Sequence, residues 1–377
     1  MNVCLVTLEF HGWGCQSGCG FGRASRALGR ALTAEGVRVT AVVPRQPDQP
    51  ERAELDGIEV FSFPSARPAE AYRWLREIDA DVYHSIDPSL LTYFAQRARP
   101  ARRHVVTLLD PTLDGPCIGA PRSEPVSLSR WLNRRYYRLG RRVRNAVRSA
   151  DLRVIGARHI GETVRQLYGL AEVPAFLPRP IEVPSALVKA PRPTVFMLDR
   201  WDSEKRPEAF FELALRFPNV QFIAAGSASD ASETERIQRA WDHVPNLELR
   251  PPVDPFSAEY QDLLSRSWIL VNPAHRTGLP ASFLDAAAHG TAILSSIDPD
   301  DFASNFGAKA PEDGLAEGLT HLLENDRWRT RGELGRAYVT KTFGSDRSVS
   351  LHLDAYRAVL EREEESLSAP EALFRSA

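Results

Sequence analysis

The sequence predicts an α/β protein of two domains, each built on a mostly parallel sheet flanked by helices. Three observations predict it. Short apolar runs alternate with amphipathic stretches through the first half, the alternation stops in a proline-rich segment at 172–193, and then it starts again. At 377 residues the chain is long enough for each half to close its own core.

The elements follow in order. "NVCLVTL" reads as a buried strand, "FGRASRALGRALTAEG" as an amphipathic helix, and "VRVTAVVP" as the next strand. "GIEVFSFP", the helix "AEAYRWLREI", "DVYHSI", the helix "LLTYFAQRA" and "RHVVTLLD" continue the alternation, which closes with "ADLRVIGA" and "IGETVRQLYG". Such alternation implies parallel strands joined by right-handed crossovers. "EVPAFLPRPIEVPSALVKAPRP" cannot continue a helix or a central strand and reads as the linker. Beyond it come "TVFMLDR", "PEAFFELALRF", "NVQFIAAGS", "TERIQRAWDHV", "LELRPPV", "EYQDLLSRS", "WILVNPA", the alanine-rich helix of "TGLPASFLDAAAHG", and "TAILSS". From about Ser345 one helix carries Val349, Leu353, Tyr356 and Leu360, followed by a solvated tail. The expected boundaries are 1–187, 188–345 and 346–377, the last helix packing back on the first domain. Ligands in such sheets sit beyond the carboxyl ends of the strands, so the chemistry is expected in a cleft between the domains.

Composition excludes several classes. A net charge of −2 rules out a polyelectrolyte role. Cys4, Cys15, Cys19 and Cys117 form no CxxC pair, which fits a reducing compartment. "MNVCLVTLEF" has no basic leader, and no apolar run approaches the ~18 residues of a membrane span, so a cytoplasmic protein is expected. Only Lys189, Lys205, Lys309 and Lys341 are lysine among 47 basic residues, which makes a lysine in a polar motif more informative than usual.

"HGWGCQSGCGFGRAS" places Gly12, Gly14, Gly18, Gly20 and Gly22 between the first strand and the first helix. Glycines let backbone approach phosphate oxygens, and a helix N-terminus favours an anion. A dinucleotide fingerprint fits poorly, because a long loop precedes the helix and "AVVPRQ" supplies no acid for a ribose. A flexible surface loop is the plain alternative. His11, Cys15 and Cys19 match no common zinc spacing, and no metal site is expected.

"LDRWDSEKRPEAFFELA" carries the sharpest signal. Arg200 lies just past a strand, Lys205 lies near the next helix start, and Pro207 suits that helix's first turn. Two cations beside a helix N-terminus make a diphosphate grip and can stabilise a departing nucleoside diphosphate without a metal ion. A solvated turn with incidental charges is the competing reading.

On these residues the second half resembles the retaining GT-B glycosyltransferases of family 4, a fold of two Rossmann-like parallel-sheet domains facing across a cleft. That family places "GR" after this strand and "KR" or "KG" a few residues on, which Arg200 and Lys205 match. Its donor motif sets two glutamates on either side of seven residues that include "GLP", and here Thr277 and Asp285 stand at those positions. The likeness is strong over 194–307 and looser in the first half. It implies transfer of a sugar from a nucleoside diphosphate sugar with retention of configuration, with no metal or other cofactor. It implies further that Arg200 and Lys205 hold the diphosphate and that Asp285 accepts from the ribose hydroxyls. Gly278 and Leu279 would lie near the sugar phosphate, Pro252 and Val253 near the base, and Gly20 and Gly22 would approach the diphosphate from the first domain. Two departures stand out. Thr277 replaces a charged glutamate, and Leu109 stands where the family often has a histidine. Asp110 and His84 are the polar residues placed to substitute, His84 being equally suited to a structural role.

"SRWLNRRYYRLGRRVRNAVRSADLR" carries Arg130, Arg134, Arg135, Arg138, Arg141, Arg142, Arg144 and Arg148 on an amphipathic helix. This is either a solvated charged face or, over 130–148, a contact for an anionic membrane at the inner face or for a phosphate-bearing or lipid-linked acceptor. Nucleic acid is not expected, since no aromatic platform accompanies it. Three functional readings stay open: a sugar transferase, a non-catalytic nucleotide-sugar-binding subunit, and a nucleotide-sugar epimerase.

Overall fold

The computed structural model describes residues 1–15, 20–110, 140–228, 230–275 and 278–361. The chain divides into two compact units, one formed by Met1–Pro180 together with the segment from Ser345, the other by Ile181–Gly344.

In the first unit β1 (Asn2–Thr7) leads through the short pair β2 (Phe10–His11) and β3 (Gly14–Cys15) to α1 (Gly20–Ala34). There follow β4 (Arg38–Arg45), β5 (Arg52–Leu55), β6 (Ile58–Pro64), α2 (Ala71–Glu77), β7 (Val82–Ile86), α3 (Leu90–Ala98) and β8 (Arg103–Leu108). Then come α4 (Arg141–Ser149), β9 (Leu152–Ile155), α5 (Gly161–Tyr168) and β10 (Ala175–Phe176). The sheet order is β10-β9-β8-β7-β1-β4-β6-β5. All pairings are parallel except β5 with β6, an antiparallel edge hairpin that the alternation of strands and helices did not predict. Its turn is Asp56-Gly57, both residues at positive φ, the backbone a two-residue hairpin requires.

Side chains alternate across the sheet. Val3 and Leu5 of β1 pack with α1 residues Leu28 and Leu32, whereas Cys4 and Val6 pack with Trp74, Leu75 and Leu91 of α2 and α3. Both faces are thus covered, which explains why β1 reads as a continuous apolar run. Burial pushes the Cys4 thiol up to about 12, so it is an inert core group.

In the second unit β11 (Thr194–Leu198), α6 (Pro207–Arg216), β12 (Gln221–Ala225), α7 (Ala231–Trp241), β13 (Leu247–Arg250) and α8 (Ala258–Arg266) are followed by β14 (Ile269–Asn272), α9 (Ala281–Ala288) and β15 (Ala292–Ser295). α10 (Phe302–Phe306), β16 (Gly307–Lys309), α11 (Leu315–Leu323) and α12 (Arg327–Phe343) complete it. The order β13-β12-β11-β14-β15-β16 is parallel throughout. Phe210, Phe211 and Phe222 join Leu319 and Trp328 in its core.

The proline-rich stretch is more ordered than a free linker. Ala175–Phe176 adds a parallel edge to β9, and the part from Ile181 is tied to the second unit. Lys189 is largely buried and donates through Nζ to the Ser267 carbonyl at 2.5 Å and the Thr291 hydroxyl at 2.8 Å. The first contact satisfies a carbonyl at the C-terminal end of α8, and the second ties that end to the residue before β15. Trp268 donates to the Ala190 carbonyl at 2.9 Å. Lys189, informative by its rarity, is therefore a structural lysine.

The last described helix, α13 (Ser345–Glu361), returns to the first unit. Val349, Tyr356 and Val359 enter the core shared by α1 and β1. Within the 130–148 stretch the described part is α4, which buries Val143, Ala146 and Val147 and exposes Arg141, Arg142 and Arg148. Arg130, Arg134, Arg135 and Arg138 lie outside the described residues, as does 362–377. Among the described residues no helix is long and apolar enough to cross a membrane.

Candidate functional site

In the second sheet the direction of winding reverses between β11 and β14, since β12 and β13 lie to one side and β15 and β16 to the other. A crevice opens where loops leave neighbouring strands in opposite directions, and ligands of doubly wound sheets sit there. Asp199–Arg206 leaves the carboxyl end of β11, and Pro273–Pro280 leaves that of β14. The crevice between them is lined by Leu198, Asp199, Asn272, Pro273 and Ser282.

The first of these loops holds both predicted cations. Lys205 Nζ lies 2.8 Å from Asp199 Oδ2, and Arg200 Nη2 lies 2.9 Å from Asp202 Oδ2. Backbone donors join them: Arg200 N–H reaches Asp199 Oδ1 at 2.9 Å, and Lys205 N–H reaches Asp202 Oδ1 at 3.2 Å. The loop therefore presents two cations and two N–H groups at the start of α6, where Pro207 occupies the first turn. Sequence reading identified the cations and missed Asp199 and Asp202, although both stand in the same "LDRWDSEK".

Gly226, just after β12, fixes the loop from beside. A Cβ there would lie 2.0 Å from the Asp199 carbonyl oxygen and 2.8 Å from Trp201 Nε1. Gly226→Ala is therefore expected to cost about 1–3 kcal/mol through overpacking and to displace the Asp199–Trp201 backbone. Urea unfolding and anion titration of the variant check both effects.

The second loop carries its own ties. His275 Nδ1 contacts Glu312 Oε1 at 2.6 Å, Arg206 Nη1 lies 3.4 Å from Glu312 Oε2, and His275 N–H donates to the Glu204 carbonyl at 3.2 Å. The loops after β11 and β14 are thereby linked, and a carboxylate from a third loop is brought to the turn ahead of Gly278. Neither His275 nor Glu312 was anticipated. Thr277 lies outside the described residues. Gly278 and Leu279 lead into α9, whose first residue follows Pro280.

Asp285 is 6% exposed inside α9 and accepts from the Tyr260 hydroxyl at 2.8 Å. A carboxylate offers about four lone-pair directions, so the tyrosine orients the group without exhausting it. Pro252 and Val253 follow β13 at the same end of the sheet. A separate open cavity of about 720 Å³ borders the edge strand β16, lined in part by Lys309, Asp313, Glu317 and His321. It lies outside the reversal point and gathers none of the predicted residues, so the crevice at β11 and β14 is the candidate.

In the first unit the reversal lies between β1 and β7. Glu9 and Asp87, both buried, follow those two strands, and Asp87 has φ +69°. Gly20 opens α1, and a Cβ at Gly22 would lie 3.0 Å from His11 N, so that glycine serves the contact of α1 with β2. Gly18, Cys19 and Cys117 lie outside the described residues. Leu109 is half-buried after β8, and Asp110 beside it lies 3.9 Å through Oδ2 from His159 Nε2, a neighbour that sequence reading missed.

His84 is placed differently from a reacting group. It is fully buried in β7, with Nδ1 at 2.7 Å from the Tyr356 hydroxyl and Nε2 at 2.7 Å from the Thr107 hydroxyl. Nδ1 is taken up in docking α13 and Nε2 in bonding the neighbouring strand β8. Among the described residues no group of three or more His, Cys, Asp or Glu side chains could hold a metal ion.

Comparison with known proteins agrees with this architecture. Residues 19–183 match the model of Glycosyltransferase Family 4. No curated protein matches the chain. Among solved structures, sucrose-phosphate synthase from Thermosynechococcus elongatus is similar at TM-score 0.71 and 16% identity, over 96% of this chain and 99% of that one. The catalytic domain of starch synthase IV from Arabidopsis thaliana, bound to ADP and acarbose, gives TM-score 0.64 and 12% identity, over 96% and 99%. HepE from Anabaena in complex with UDP-glucose gives 0.65 and 12%, over 94% and 99%.

Proposed function

We propose that this chain, which carries the GT-B fold and matches the model of Glycosyltransferase Family 4 over residues 19–183, transfers a sugar from a nucleoside diphosphate sugar to an acceptor with retention of configuration. One observation carries the reading: Arg200 and Lys205 stand together, with two backbone N–H groups, at the reversal point of the second sheet. Cations fixed there before reaction stabilise the charge that builds on a departing diphosphate and need no reorganisation when it leaves. They supply the positive charge of this step, and no metal is invoked for it.

The remaining roles are those the family resemblance implies. Asp285, oriented by Tyr260, accepts from the ribose hydroxyls. The backbone at Gly278 and Leu279 faces the sugar phosphate, and Pro252–Val253 borders the base. Asp110, next to His159, takes the place the family resemblance gives to a polar residue near the sugar. His84 is left out of the reacting set because its ring is consumed in packing. The structures that resemble this chain include ones bound to ADP or UDP-glucose, which supports a nucleotide donor.

A panel of nucleotide sugars, read by thermal shift and by nucleotide release with plausible acceptors, tests the proposal. One donor is expected both to stabilise the protein and to release its nucleoside diphosphate. Stabilisation by a donor with no release, across acceptors, favours the second reading, a non-catalytic nucleotide-sugar-binding subunit. Thr277 in place of a charged glutamate is what keeps that reading open. If the protein is an enzyme, Thr277→Glu is expected to lower release from its own donor about tenfold, by placing an unmatched charge against the sugar. A rise in release instead marks the threonine as a lesion and favours the binding subunit.

A further inference from the structure

Resting on the reading of Arg200 and Lys205 as a diphosphate grip, we propose that Asp199 is a built-in competing anion that makes this grip selective for diphosphates over singly phosphorylated ligands. The geometry is that of an anion already seated. The Asp199 carboxylate accepts the Lys205 ammonium at 2.8 Å on one oxygen and the Arg200 N–H at 2.9 Å on the other. A cation and a backbone N–H side by side are the donors a phosphate oxygen seeks. Asp202 takes the matching pair, Arg200 Nη2 at 2.9 Å and Lys205 N–H at 3.2 Å. Two cations and two carboxylates leave the empty loop with no net charge.

Any incoming anion must therefore displace an intramolecular carboxylate before it gains the cations. The displaced group can turn aside but cannot withdraw. The Asp199 main chain continues from β11, and its carbonyl oxygen stands against Gly226, where even a methyl group would sit 2.0 Å away. After displacement the carboxylate remains beside the bound anion and repels it. A monophosphate engages one cation and gains little over the aspartate it replaces. A diphosphate spans both cations, displaces both carboxylates at once and carries enough charge to outweigh the repulsion. The side chains of Asp199 and Asp202 are 21% and 24% exposed, shielded enough for this competition to be felt and open enough for a ligand to reach it.

Titration calorimetry of the full chain with inorganic pyrophosphate and inorganic phosphate tests the inference. The wild type is expected to prefer pyrophosphate strongly. Asp199→Asn keeps an acceptor for the Arg200 N–H and removes the charge. It is expected to tighten phosphate by about tenfold and pyrophosphate by less, so that the preference shrinks at least several-fold. Asp199→Ser should act in the same direction and stands in if the asparagine variant misfolds by circular dichroism. Equal weakening of both anions would mean that Asp199 only holds Lys205 in place, and an unchanged preference would mean that it does nothing to selectivity; either overturns the proposal. Lys205→Ala locates the binding, and pyrophosphate affinity that survives it intact overturns both the proposal and the reading beneath it. If Asp199 behaves as expected while UDP, ADP and GDP bind no better than pyrophosphate, the nucleotide-sugar reading fails and the charge selectivity stands.

Discussion

Lys205→Ala is expected to reduce kcat/KM for the native donor by about 10²–10³-fold, and Arg200→Ala by a similar factor. On the proposed function, each removes a fixed cation from the place where charge develops on the leaving group. Water that fills the gap must reorient as that charge forms, so the loss should fall on kcat more than on KM. If both side chains grip the same group, as proposed, the double variant should lose less than the product of the single losses. Lys205→Arg should retain part of the rate, because charge survives while the point-like ammonium becomes a planar fork. Nucleotide release at saturating donor reads the effect. A change below about threefold in both single variants would place the chemistry elsewhere in the fold.

Acid should loosen the first unit through its last helix. His352 of α13 is buried, and desolvation pushes its pKa down to about 4; its Nδ1–H donates to the Ser348 carbonyl one turn earlier at 2.9 Å. Burial also holds His84 well below the ordinary histidine range, and the nearby His352 charge adds to that. The two rings lie 6.1 Å apart, and the Tyr356 ring lies 5.7 Å from His84 and 6.1 Å from His352. A free histidine titrates near ~6.5, so between about pH 6.5 and 4 the unfolded chain binds protons that the folded chain refuses. Stability is then fully present above pH ~6.5 and falls as the pH drops through this window. For His352 alone the loss by pH 4 is about 3 kcal/mol, a large share of the stability of an ordinary domain. Urea unfolding followed by circular dichroism from pH 7 to 4 checks the slope. His352→Leu should flatten it, while costing about 1 kcal/mol at neutral pH for the lost hydrogen bond. A slope that is unchanged in the variant would assign the acid sensitivity to other groups.

The strand and helix succession was legible in the sequence because most strands are short, apolar and fenced by turns. What escaped was set by partners distant in sequence or by side-chain pairing. The hairpin of β5 and β6 depended on Asp56-Gly57, a signal present in the sequence and masked by the stronger parallel pattern around it. Ala175–Phe176 extends the first sheet despite its proline-rich surroundings, because an edge strand asks for hydrogen bonds on one side only. His84 looked like a site residue because it follows an apolar run in a strand. Its hydroxyl partner Tyr356 lies 272 residues away, and no local pattern announces it. At the candidate site the cations were legible from their position after a strand, whereas their pairing with Asp199 and Asp202 was not. The charges were visible; which charge answers which is decided by the path of eight residues in space.

The discontinuity of the first unit bears on how the protein is made. Its sheet is complete by Phe176, yet Val349, His352, Tyr356 and Val359 reach it only after Ser345. On the ribosome, therefore, the amino-terminal half emerges with an apolar face and an uncovered His84, and it waits for the rest of the chain. The stretch Ile181–Gly344 is continuous and contains all of its own strands, so the later-synthesised unit is the one that can close first. A nonsense change just after Gly344 would spare every residue of the proposed donor grip and still cripple the other half of the molecule.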